Sequence, residues 1–228
     1  MTALTQFESG VAEVRLLLEL SSDPPKTERE NAVHRACVVL LVSHFESYLK
    51  AIAETFSDEI SDGNLESRQI PKGIRELHTL PKLREIIESN SEPQRAILLK
   101  KLQPLMVLWN DAAKPSRGSL SSSVLARVVT NANSQTIDKL FNLMGNTGCV
   151  CDGDLDVPDA DGETAPVNIR LSLEDVVKCR NDIAHGDQSR RPTAGDVARY
   201  LGFLTAMAKR LDRKAASFHS ETSTGDDP

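Results

Sequence analysis

Apolar positions recur at intervals of three and four at both ends of the chain and less regularly between them. Leu4, Phe7, Val11, Val14 and Leu18 form one such stripe, which predicts an amphipathic first helix ending by residues 21–25. A second, longer helix is predicted over about 28–56. Its middle, Cys37-Val38-Val39-Leu40-Leu41-Val42, is apolar on every side, as in a helix surrounded by others. Beyond that run the faces separate. Ser43, Glu46, Ser47 and Lys50 share one side, and Phe45, Tyr48, Leu49, Ile52 and Phe56 take the other. An acid on the inner part of such a helix needs a partner, because burying it alone is costly. Near the far end, Val197, Tyr200, Leu201, Leu204, Ala208 and Leu211 give a clean stripe to a last helix starting at Thr193.

The middle third is less periodic and richer in breakers. Residues 58–71 are polar and turn-rich. Residues 72–89 predict one or two short helices broken near Pro81. Residues 94–110 predict another, with Leu98, Leu102, Leu105 and Leu108 or Trp109 inward and Pro104 as a kink point. After a connector at 111–120, two more short helices are predicted at 121–130 and 135–144. The resulting expectation is an all-α protein, an up-and-down helical bundle with an inserted helical subdomain. One domain would span 1–216, with core helices at about 3–57 and 171–215 and the helical insertion at about 60–147. An acidic loop would occupy 149–168, and 217–228 would be a disordered tail.

Composition sharpens this picture. Apolar residues make up 39% and aromatics only 4%, so Leu, Ala and Val carry the core, which favours helices over a β-sandwich. No uninterrupted 18-residue apolar run is present, so no membrane span is expected. The first ten residues, MTALTQFESG, lack the basic and apolar regions of a signal peptide. Four cysteines in a chain of this length make no disulfide framework. Cys37 and Cys179 read as core thiols, and a reducing cytoplasm is expected.

The net charge of −6 argues against a protein that coats nucleic acid. Residues 152–163 hold Asp152, Asp154, Asp156, Asp159, Asp161 and Glu163 and no base, so the rest of the chain is neutral. An RNA-contacting face of Arg180, Arg190, Arg191, Lys178 and Arg117 would therefore be local. The acidic run places carboxylates at positions 1, 3, 5 and 12 of a calcium loop. Positions 6 and 7 are Val157 and Pro158, and the flanks do not read as paired helices, so no calcium site is expected. Cys149-x-Cys151 lacks a second ligand pair, so no zinc or other metal is expected.

One stretch concentrates the chemistry. Residues 171–187 read L-S-L-E-D-V-V-K-C-R-N-D-I-A-H-G-D. Ser172 and Asp175 are spaced as an N-cap and capping-box acid, and Leu171 and Val176 as a hydrophobic staple. Val176, Val177, Ile183 and Ala184 supply an apolar stripe, and Gly186 falls where glycine stops a helix. Asn181 and His185 are four apart and share a face, and the long side chain of Arg180 swings to the same side. Such a group suits RNA cleavage by its own 2′-hydroxyl. A histidine moves a proton near neutral pH, and an arginine fork matches two phosphate oxygens. Arg-x4-His alone says little, since Arg29 to His34 also fits. Only at Arg180 do an amide after the Arg, a glycine stop after the His and a following amphipathic helix coincide.

R-N-D-I-A-H-G followed by a final amphipathic helix resembles the HEPN superfamily, whose signature is an Arg and a His separated by four to six residues, with a polar residue after the Arg. The run R-A-C-V-V-L-L-V-S-H-F-E-S-Y-L-K resembles the second helix of HEPN domains of the RiboL-PSP kind, down to Ser43, Glu46 and Tyr48. The resemblance covers about 1–57 and 168–215 and implies an all-α bundle that dimerises. Two motifs would meet across a cleft as a composite, metal-independent RNase site needing no cofactor, commonly in toxins or phage-defence effectors. It implies that Arg180 contacts the scissile phosphate, Asn181 orients it or the histidine, and His185 is general base or acid. Glu46 would position Arg180, and Lys178, Arg190 and Arg191 would bind substrate. The partners implied are RNA, a second copy of the chain, and an antitoxin or defence-system protein.

The alternative is a non-catalytic HEPN-like module that binds RNA, nucleotide or a protein partner. A DNA-binding regulator is weaker, since no helix-turn-helix with a basic recognition helix stands out. The absence of GxxxxGK[ST], GxSxG and HExxH leaves nucleotide hydrolysis and serine or zinc hydrolase chemistry unsupported.

Overall fold

The computed structural model describes residues 2–21, 27–62, 64–158 and 163–223, the last five by backbone alone. Among these, the helices are α1 (Ala3–Leu18), α2 (Glu28–Asp62), α3 (Lys72–Glu88), α4 (Glu92–Leu102), α5 (Ser122–Ala126), α6 (Ser134–Leu143), α7 (Ile169–Ala184) and α8 (Ala194–Ser223). Short 3-10 turns occupy Ser67–Gln69 and Gln103–Trp109, and strands β1 (Asp154–Pro158) and β2 (Thr164–Asn168) form an antiparallel pair. The fold is all-α with this one small hairpin.

Both long helices are sealed at their starts by their own sequence. Before α2, Thr27 Oγ1 accepts from the Glu30 amide at 3.2 Å, and the Thr27 amide donates to the Glu30 carboxylate at 2.9 Å. Before α8, Thr193 and Asp196 exchange the same pair of bonds at 3.1 and 3.0 Å. Each is a capping box satisfying two otherwise orphaned amides.

The chain divides into two compact units. The first contains residues 1–51, 129–138 and 150–214, and the second 52–128, 139–149 and 215–228. In the first unit the stripe of α1 buries Phe7, Val11 and Val14. Phe7, Phe45 and Tyr48 cluster with ring centroids 5.4–5.8 Å apart. The Tyr48 hydroxyl donates to the Ala208 carbonyl at 2.6 Å, tying α2 to α8, and burial pushes its phenol up. By length and hydropathy α2 would suffice to cross a membrane, but half of its most apolar window is buried inside the fold. That apolarity is consumed by packing against α1 and α8.

In the second unit, Phe56, Phe141 and Phe218 pack together at centroid distances of 6.4 Å. Leu143 lies against Gly73 so closely that a Cβ there would sit 2.9 Å from it. Trp109 donates its indole N–H to Thr79 at 3.0 Å, and Arg75 lies 5.4 Å from the indole ring centroid.

Five expectations need correction. The helix expected to begin at Ser172 begins at Ile169, capped by Asn168, whose side chain accepts from the Leu171 amide at 3.2 Å. Leu171 is exposed, so the Leu171–Val176 staple is not made. The buried stripe of α7 is Ile169, Leu173, Val176, Val177 and Cys179; Ala184 is exposed. Pro81 does not break α3, because it lies on an exposed face where losing one backbone donor is tolerated. The helix expected over 94–110 tightens instead into a 3-10 turn at Gln103–Trp109, where Pro104 enters. The acidic loop is largely a hairpin, with Leu155 and Val157 buried on one face of β1. Gly202 on α8 makes room for it: a Cβ there would lie 3.3 Å from Val157. Asp159 and Asp161 of that loop lie outside the described residues. Finally, α8 extends through Ser223 with Phe218 buried, past the expected boundary at Ser217. Residues 224–228 lie outside the described residues.

Candidate functional site

The last turns of α7 carry Arg180, Asn181 and His185, all in the first unit. Helical spacing puts Asn181 one turn below His185, and the His185 amide donates to the Asn181 carbonyl at 2.9 Å. His185 is the C-cap, and Gly186 follows at φ +87°. That left-handed backbone suits glycine and ends the helix directly after the histidine.

Arg180 is held from two sides. One guanidinium nitrogen bonds the Glu46 carboxylate of α2, and another donates to the Asn181 side-chain oxygen at 3.0 Å. Both Arg180 and Glu46 are about 20% exposed. Arg180 Nε is buried without a hydrogen-bond partner among the described residues. The ion-pair partner anticipated for Glu46 is therefore Arg180. The two bonds fix the plane of the fork, and the side chain remains about 20% exposed. His185 is exposed, and its ring makes no hydrogen bond or ion pair among the described residues.

The other expected cations each have an acidic neighbour. Lys178 pairs with Asp182 at 2.8 Å and Arg191 with Glu28 at 2.9 Å. Arg190 reaches Asp175 at 3.3 Å, and Arg117, in the second unit, pairs with Asp62 at 2.8 Å. The Lys178 and Arg191 side chains are mostly exposed, so these pairs are weak. Asp175 is not a capping acid but a hub. It accepts from Tyr200 at 3.0 Å and Arg199 at 3.0 Å as well as from Arg190. Burial first, then Cys179 and Asp175, push the Tyr200 phenol up, so it stays protonated and donates. Contact with the Cys179 thiol, opposed by burial, raises the Arg190 guanidinium.

Sequence reasoning passed over two supporting residues. Arg35 donates through Nη1 to the carbonyls of Asp187 at 2.6 Å and Arg190 at 2.7 Å, clamping the loop after His185. Fully buried His34 meets the Pro192 carbonyl at 3.1 Å through Nδ1 and the Ser21 hydroxyl at 2.7 Å through Nε2. Since a carbonyl only accepts, Nδ1 carries a proton. A signal existed: His34 falls in phase with Val38, Leu41, Phe45 and Tyr48, the buried face of α2. A second clamp, Arg170, bridges Asp138 and Asp152 at 2.7 Å each, and Asp138 also accepts the Cys151 amide at 3.0 Å.

The model of the RiboL-PSP-HEPN family matches residues 8–217. That span includes the middle third, which the sequence resemblance left unexplained. No curated protein and no solved structure matches the chain.

Proposed function

Because the chain belongs to the RiboL-PSP-HEPN family, we propose that it is a metal-independent endoribonuclease of HEPN type, with Arg180, Asn181 and His185 as its catalytic residues. HEPN domains commonly act on RNA and are commonly dimeric. The observation that carries the reading is the fixed fork of Arg180, between Glu46 and Asn181, beside an exposed, uncommitted His185 on the same helix end.

In this reading His185 takes the proton from a ribose 2′-hydroxyl as the oxygen attacks the adjacent phosphorus. Arg180 stabilises the charge that builds on the two non-bridging oxygens, and Asn181 orients the fork. The bond to the 5′-oxygen breaks, and that oxygen takes a proton from His185 of a second copy. The products are a 2′,3′-cyclic phosphate and a 5′-hydroxyl, and no metal is called for. Glu46 acts through Arg180 as a positioning residue, and Lys178, Arg190 and Arg191 exchange carboxylates for RNA phosphates. The setting proposed is a toxin or phage-defence effector held in check by a protein made with it.

A second reading is a non-catalytic module that binds RNA, nucleotide or a partner. It is favoured by the acidic neighbour that each expected phosphate-binding cation already has. The test is cleavage of labelled total RNA in EDTA by wild type, Arg180→Ala and His185→Ala, each checked for dimerisation. Cleavage by wild type alone supports the nuclease. Equal cleavage by all three removes the site, and no cleavage by a dimeric wild type favours the binding module.

A further inference from the structure

Among the described residues, seven of the ten large apolar side chains left exposed fall within residues 80–109 of the second unit. Trp109 is accounted for by Thr79 and Arg75. The others have no such explanation. Leu80, Leu83 and Ile87 run along the outside of α3, and α4 buries Leu98 and Leu102 while Leu99 points away. Folding gains nothing from apolar side chains left in water, and clustered exposure of this kind marks a binding surface.

Two of these side chains, Leu99 and Met106, line an open groove of about 330 Å³ at the end of α4 and the turn after it. Leu99 and Met106, each 51% exposed, form its walls. Leu102 is its floor, and Lys100 and Gln103 lie at its rim. Lys100 and Lys101 have no acidic partner among the described residues, in contrast to Lys82, which pairs with Glu85 at 3.5 Å. The groove thus joins an open, mostly apolar surface to two last-turn lysines that lack an ion-pair partner among the described residues. A second copy seated on it about a two-fold axis would set Lys100 and Lys101 against themselves.

We propose that this groove docks an amphipathic helical segment of a different protein, with aliphatic anchors for the apolar surface and acidic residues flanking them. Such a segment would fill the walls formed by Leu99 and Met106 and supply the carboxylates that the two lysines lack. The site stands apart from the nuclease reading, because nothing in its recognition involves RNA.

The test uses the full chain and two fluorescein-labelled helical peptides. They share leucines at i, i+3 and i+7 and differ only in flanking Glu or flanking Lys. By anisotropy the Glu-flanked peptide should bind at least about tenfold more tightly than the Lys-flanked one. Leu99→Glu with Met106→Glu should abolish that binding, with the circular dichroism spectrum and melting temperature retained. Lys100→Glu with Lys101→Glu should reverse the preference, which itself shows a folded groove. Equal binding of both peptides, or binding of neither, overturns the proposal. So does wild-type self-association in sedimentation that Leu99→Glu abolishes, since a second copy would then be the occupant.

Discussion

Replacing Glu46 by Gln keeps the size of the side chain and one acceptor but removes the charge facing Arg180. The pair is about four-fifths buried on each side, so it lies between a surface ion pair, worth under ~1 kcal/mol, and a fully buried one. A hydrogen bond to a charged group contributes about 1.5–3 kcal/mol, and residual solvation takes the lower part of that range. A double-mutant cycle of Glu46→Gln and Arg180→Gln should therefore return a coupling of about 1–2 kcal/mol. Glu46→Gln alone should lower the melting temperature by about 3–6 °C in a chain of this size. The assay is urea unfolding of the four proteins followed by circular dichroism. Most of the coupling should survive 0.5 M salt, because partly buried pairs are poorly screened. A coupling below about 0.3 kcal/mol would mean that the two residues act independently, and the positioning role of Glu46 would fall.

Further outcomes are expected elsewhere. For Asp196, burial raises the carboxyl, but the Thr193 amide and hydroxyl and Arg199 together outweigh it, so its folded-state pKa lies below the ordinary value. Its contribution is present above the unfolded pKa of about 3.9 and is lost as pH falls through the lower folded value. Asp196→Asn should cost about 1 kcal/mol at pH 7, a gap that narrows progressively in unfolding curves as pH falls below about 4; a gap that stayed constant down to the acid limit would contradict the capping role. At Gly10, a Cβ would lie 2.5 Å from the His44 ring. Gly10→Ala should thus destabilise by about 1–3 kcal/mol, while in a His44→Ala background the same change should stabilise by about 1 kcal/mol. The sign change, read from melting curves, is the check. Arg35→Ala should release the Asp187 and Arg190 carbonyls. Hydrogen exchange in 186–191 should then rise by about tenfold while α8 is unaffected, and unchanged exchange would refute the clamp.

Much of this protein is legible in order of residues alone, because helices announce themselves locally. The three-four stripes of α1, α2 and α8 concern neighbours within one turn, and so do the capping boxes at Thr27 and Thr193, which sequence reasoning passed over. The R-N-D-I-A-H-G run likewise placed Arg180, Asn181 and His185 on one helix end with its glycine stop, and the family match to 8–217 agrees with the resemblance read there. What depended on distant residues was not legible. The D-L-D-V alternation of β1 is too short to outweigh its charge; it becomes a strand by pairing with β2, with Val157 packed close to Gly202 on α8. The helical start at Ile169, directly after Asn168 ends the hairpin, follows from the same pairing. The partner of Glu46, the clamp of Arg35 and the buried place of His34 link positions over 100 residues apart, and no local pattern encodes such a distance. Local sequence determined which side chains stand together at the end of α7. Tertiary packing decided which carboxylate holds the arginine and which side chains tie down the loop behind the histidine.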